Sequence, residues 1–118
     1  MSKNTDRDGV KFTYVRDFGE EGRVLTIARK WTGDENNISY AMAICNPKDK
    51  FQKERGRLIA TGRLQCDRDG RLGPQIATVP QGKHPEDVVL MAIMEGLSPR
   101  PAQALAEHLY NRAVKRAL

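Results

Sequence analysis

Two cysteines, few aromatic side chains and no long apolar run are the scarcities of this 118-residue chain, and each excludes something. Cys45 and Cys66 stand alone, so no disulfide framework is expected and both thiols read as reduced. With His84 and His108 they are the whole supply of soft metal ligands, and no pair has the close spacing of a structural zinc site. Neither metal nor cofactor is expected. The longest apolar run, 88–94, falls far short of the roughly 20 residues that span a bilayer. The opening Met-Ser-Lys-Asn-Thr-Asp-Arg-Asp is polar and lacks the apolar core of a secretory leader, so a soluble intracellular protein is expected.

Catalytic signatures are missing as well. There is no Gly-x-Ser-x-Gly elbow, and the glycines at 56 and 62 lack the Gly-Lys-Ser/Thr ending of a phosphate-binding loop. The acidic pairs Glu20-Glu21, Asp34-Glu35, Asp67/Asp69 and Glu86-Asp87 fall in turns or at a helix start, where each has a structural role. No residue is assigned a catalytic part.

What is present is positive charge. Twenty Lys and Arg against fifteen Asp and Glu give a net +5, a balance that favours an anionic partner. Hydrophobic residues at 39% and charged residues at 30% suit a small domain with much surface, or one that completes its core as a dimer.

The pattern along the chain predicts an α+β fold. Residues 1–9 read as a mobile arm and 10–118 as a single domain. Val10, Phe12 and Tyr14 alternate with polar residues at strand period, and 18–22 reads as a turn. A second strand covers 23–32, with Leu25, Ile27 and Trp31 on one face and Arg29 breaking the row near a rim. A third covers 38–45, with bulky Ile38, Tyr40, Met42 and Ile44 on one face and small Ser39, Ala41, Ala43 and Cys45 on the other. Residues 48–55 are read as a helical turn or ordered loop, anchored by Phe51. Residues 57–64 are read as a fourth strand and 72–79 as a weaker fifth. Pro85, followed by Glu86 and Asp87, opens a largely apolar helix that stops near Gly96. Ser98-Pro99 opens a final helix with a stripe of Ala102, Leu105, Ala106, Leu109, Ala113 and Ala117. The expectation is a five-stranded antiparallel meander followed by two C-terminal helices packed on one face. The uncovered face would suit a second subunit, so a homodimer is expected.

The candidate site is cationic. Lys48, Lys50, Lys53, Arg55, Arg57 and Arg63 cluster with only Asp49 and Glu54 opposing them, and are assigned to partner or phosphate binding. Arg112, Lys115 and Arg116 make a secondary basic patch. Base stacking is disfavoured, because Phe12, Tyr14, Trp31, Tyr40 and Phe51 have core duties.

The run Asn46-Pro47-Lys48-Asp49-Lys50-Phe51-Gln52-Lys53-Glu54-Arg55-Gly56-Arg57-Leu58-Ile59-Ala60-Thr61-Gly62-Arg63-Leu64 resembles a segment of small bacteriophage and prophage accessory proteins. In these an Asp-x-Phe stretch precedes a Gly-Arg-x-Ile-Ala-x-Gly-Arg-Leu strand. The resemblance covers under a fifth of the chain. It implies a non-enzymatic protein in the cytoplasm of a bacterial host, binding a host protein or nucleoprotein complex of defence or nucleic-acid handling. Direct, sequence-independent binding of DNA or RNA through the same cations is the alternative. A small-molecule site or enzyme cleft between subunits is a further one.

Overall fold

The computed structural model describes residues 9–18, 23–33, 36–45, 52–65 and 74–118. Lys48, Lys50, Phe51 and Cys66, and nearly all of the expected N-terminal arm, lie outside these. The elements run β1 (Lys11–Phe18), β2 (Arg23–Trp31), β3 (Asn37–Cys45), α1 (Lys53–Leu64), β4 (Gln75–Thr78), α2 (Pro85–Glu95) and α3 (Pro99–Ala117). The strands form one antiparallel sheet in the order β1-β2-β3-β4. An antiparallel sheet with C-terminal helices is the expected α+β class, with four strands instead of five.

β2 and β3 supply the spine, paired without interruption from Val24↔Cys45 to Trp31↔Ile38. Their turn uses left-handed backbone at Gly33 (φ 96°) and Asn36 (φ 56°), residue types that tolerate it. Strand alternation then sorts side chains by size. Leu25, Ile27, Ile38, Tyr40 and Val15 face α2 and α3, where they bury Val89, Leu90, Ile93 and Leu105. Ala28, Ala41 and Ala43 face the other way and bury Ala60 and Leu64 of α1.

Three expectations need correcting here. Residues 57–64 are helix, the greater part of α1, and not a fourth strand. The apolar content of 57–64 fits either period, and short runs do not separate them. Packing decides: Gly56, Ala60 and Leu64 recur every four residues and form the stripe that meets the small sheet face. The two C-terminal helices do share the bulky face, as expected, but α1 covers the small one, so among the described residues neither sheet face is left over for a second subunit. Phe18, expected in a turn, is a core residue, brought inward by a register shift between Val15 and Phe18.

Gly56 fixes how close α1 can come. A Cβ there would lie 2.6 Å from Thr26 Oγ1 and 3.3 Å from Thr26 Cβ on β2. Gly62 in the same helix is exposed, and a methyl there meets nothing within 4 Å. The two positions therefore respond with opposite sign. Gly62→Ala is expected to raise stability in urea unfolding by about 1 kcal/mol, the helix-propensity gain. Gly56→Ala gains the same propensity yet is expected to lower stability by about 1–3 kcal/mol through overpacking.

Candidate functional site

β1 is an edge strand. It pairs with β2 on one side and has no strand on the other among the described residues. α1 flanks it on one face and α3 on the other, leaving an open groove on each flank. The α1 groove, of about 500 Å³, is lined by Phe12, Arg57, Leu58 and Thr61 among others. The α3 groove, of about 510 Å³, is lined by Tyr14, Arg16, Arg100, Gln103, Glu107 and His108 among others.

The cations of α1 are not equivalent. Lys53 Nζ lies 5.1 Å from the centre of the Tyr14 ring, and Arg57 Cζ lies 5.8 Å from that of Phe12. Residues four apart in a helix and two apart in a strand advance by similar lengths, so one turn of α1 matches Phe12 and Tyr14 along β1. Such contacts are worth about 0.5–1 kcal/mol at exposed sites. They hold each cation in place without using a carboxylate. Arg57 Nε is buried there with no hydrogen-bond partner. Burial raises the Tyr14 phenol above its ordinary value, against the pull of Arg57. Arg55 points outward and is exposed. Arg63 is committed to the scaffold: its Nη1 donates to the Met42 carbonyl at 2.9 Å, in the half of β3 that β4 does not reach.

Of the six cations assigned to the main patch, Lys53 and Arg57 are thus gathered beside β1, and Arg55 points outward from the same helix. Arg63 sits on the β3 side, and Lys48 and Lys50 are outside the described residues.

The secondary patch is already matched with carboxylates at two of its three positions. Arg116 makes a bidentate pair with Asp87, Nη1 to Oδ2 at 2.8 Å and Nη2 to Oδ1 at 3.0 Å. Arg112 Nη2 lies 2.8 Å from Glu86 Oε1 as an ion pair without hydrogen-bond alignment. Lys115 is exposed.

Glu86 is the residue that sequence reasoning missed. It is read as a charge favourable to the start of α2, yet it is only 4% exposed. Thr13 Oγ1 donates to its Oε2 at 2.5 Å and accepts from Arg29 Nη1 at 2.8 Å, while Arg29 Nη1 lies 3.9 Å from the same carboxylate oxygen. One buried carboxylate therefore joins β1, β2, α2 and α3. The signal was Arg29 itself. An arginine in the row Leu25, Ile27, Arg29, Trp31 faces the core and requires a buried acid. Its side chain is 12% exposed, not at a rim. Burial lowers the Arg29 value, with Glu86 opposing that shift. His108 of α3, beside this network, is lowered by burial and has its Nε2 buried without a hydrogen-bond partner.

Among the described residues no three His, Cys, Asp or Glu gather to hold a metal ion, and no helix is long and apolar enough to cross a membrane. No family model, curated protein or solved structure matches the chain.

Glu86→Gln removes the carboxylate shared by the inward Arg29 and the partly exposed Arg112. It is expected to cost about 3 kcal/mol in chemical unfolding, the scale of breaking a buried pair. The Asp87 pair has a pH signature. Hydrogen bonding to Arg116 holds the Asp87 carboxyl below its ordinary value, with burial opposing that shift. Its stabilisation is complete above the ordinary carboxylate range and fades as pH falls through the lowered folded value. Stability of the wild type minus that of Arg116→Gln is therefore expected to be positive at neutral pH and to close in acid. Urea unfolding across a pH series measures it.

Proposed function

We propose that this protein is a non-enzymatic accessory protein of the phage type that its 46–64 segment resembles. In this reading it works in the cytoplasm of a bacterial host. It binds an acidic surface or segment of a host complex of defence or nucleic-acid handling, and so inhibits or adapts that complex. The docking surface is the cationic side of α1 beside the open edge of β1.

The observation that carries this reading is the pair of stacked cations. Lys53 and Arg57 lie over Tyr14 and Phe12, next to a strand edge with no strand partner among the described residues. A side chain already ordered over a ring loses less freedom when it meets an anion. An open strand edge offers backbone groups to an extended segment, and positive flanks select for acidic side chains on it. Arg55 extends the charge outward. Lys48 and Lys50, close in sequence, belong to the same proposed surface.

A nucleic-acid partner is the second reading, and the cations alone favour it. The rings are the argument against it: the faces of Phe12 and Tyr14 that a base would need are taken by Arg57 and Lys53.

The test is binding of a labelled polyglutamate peptide and of a single-stranded oligonucleotide, followed by anisotropy across a salt series. The wild type is expected to prefer the peptide. The triple variant Lys53→Glu, Arg55→Glu, Arg57→Glu is expected to lose that binding about tenfold or more while keeping its circular dichroism. Unchanged peptide affinity in the variant overturns the docking site. Tighter binding to the oligonucleotide, with a steep logarithmic loss in salt, replaces the protein partner with nucleic acid.

A further inference from the structure

The outward side of α3 carries an apolar stripe that the fold does not use. Leu105 is fully buried, and Ala104 and Leu109 pack against the core, so these define the inner side of the helix. Ala106, Tyr110, Ala113, Val114 and Ala117 recur at helical spacing on the opposite side, and all are exposed. Tyr110 is 70% exposed and Val114 42%. The exposed polar residues Gln103, Glu107, Asn111 and Lys115 flank this stripe and leave it unbroken along its centre.

We infer that this stripe is the contact between two copies of the chain, with the two α3 helices crossing antiparallel about a two-fold axis near residues 111 and 112. The sequence of sizes is what selects a second copy. In that register Ala106 faces Ala117 of the other copy, and Tyr110 faces Ala113. Each ring therefore meets a methyl group, and the small residues at both ends let the helices approach closely. A two-fold contact requires such self-complementarity, because the same patch serves both partners.

Electrostatics favour the same direction. Antiparallel helices set opposite ends of their dipoles side by side. They also bring Glu107 alongside the last turn of the other copy, with its exposed Lys115. The stripe is about 17 Å long from 106 to 117 and three of its five residues are alanine. A strip this short with so many small side chains suits a weak, transient interface, so the dimer is expected to form only at micromolar concentration or above.

Sedimentation equilibrium over a wide concentration series is the test. The weight-average mass is expected to rise from 13.3 kDa toward double as concentration increases. Tyr110→Glu, at an exposed position, is expected to keep the helical signal and hold the mass at the monomer. Register is read separately, with Cys45 and Cys66 replaced by serine. Ala106→Cys mixed with Ala117→Cys is expected to form a disulfide between copies far faster than Ala106→Cys alone. A wild type that stays monomeric throughout, a dimer that survives Tyr110→Glu, or cross-linking of Ala106→Cys alone overturns the inference. Peptide binding at α1 is unaffected by Tyr110→Glu, so failure of this dimer and failure of the docking surface are distinguishable.

Discussion

The fold depends on the unequal faces of its two central strands. β2 and β3 place Leu25, Ile27, Ile38 and Tyr40 on one side and Ala28, Ala41 and Ala43 on the other. A bulky face accepts helices at ordinary separation and builds the larger core with α2 and α3. A small face leaves a void unless the covering helix comes close. α1 does so by presenting Gly56 and Ala60, with Thr26 standing where a methyl on Gly56 would go. That approach in turn places Lys53 and Arg57 within reach of the β1 aromatics. The candidate docking surface is therefore a consequence of alanines in the sheet, two strands away from it.

Charge is distributed by the same geometry. At net +5, the protein has more cations than acids to match them. Of the acids opening α2, Glu86 is used inward, serving Thr13, Arg29 and Arg112, while Asp87 holds Arg116 in an exposed pair. A buried charge cluster of this kind is retained only if each member is answered, since an unpaired charge in the interior is far costlier than the pair is stabilising. These pairings fix where α2 and α3 sit on the sheet. They also draw Arg112 and Arg116 out of the basic surface. Lys53 and Arg57 are instead held over the β1 rings and Arg55 is exposed, which is why the functional reading rests on α1 and not on the end of α3.

How much was legible follows from how local each signal is. β2, β3, α2 and α3 were readable because each carries its period over many residues, with Pro85 and Pro99 marking the helix starts. The class and the strand order followed from these. α1 was not readable, because the run 57–64 contains only Ala60 and Leu64 as buried apolar residues, and their helical phase shows only against the partner face. Misreading it also left uncovered a sheet face that α1 covers. The cations were visible as a cluster in sequence. Their division into ring-stacked, outward and scaffold-bound groups required the helix, which turns Arg55 away from Lys53 and Arg57 and sends Arg63 to β3. Glu86 was hidden because an acid at a helix start already has a sufficient explanation. Only the inward Arg29 asks for more.

An eight-residue strand with no strand partner on one side among the described residues is a hazard as well as an opportunity, since such an edge can pair with another copy of itself. Here the edge carries exposed Lys11 and Arg16, and Lys53 and Arg57 stand over its rings. Two such edges brought together would set like charges against like, at a cost that grows with each pair. An acidic segment meets the opposite situation, because every cation that repels a second copy attracts it. On the proposed function, one set of side chains thus disfavours self-pairing and suits a negative partner. In the dimer inferred above, copies meet instead at the outward stripe of α3, where few charges intervene. The two surfaces lie on different elements, so a dimer joined there leaves each β1 edge open, and the molecule would present two docking edges in place of one.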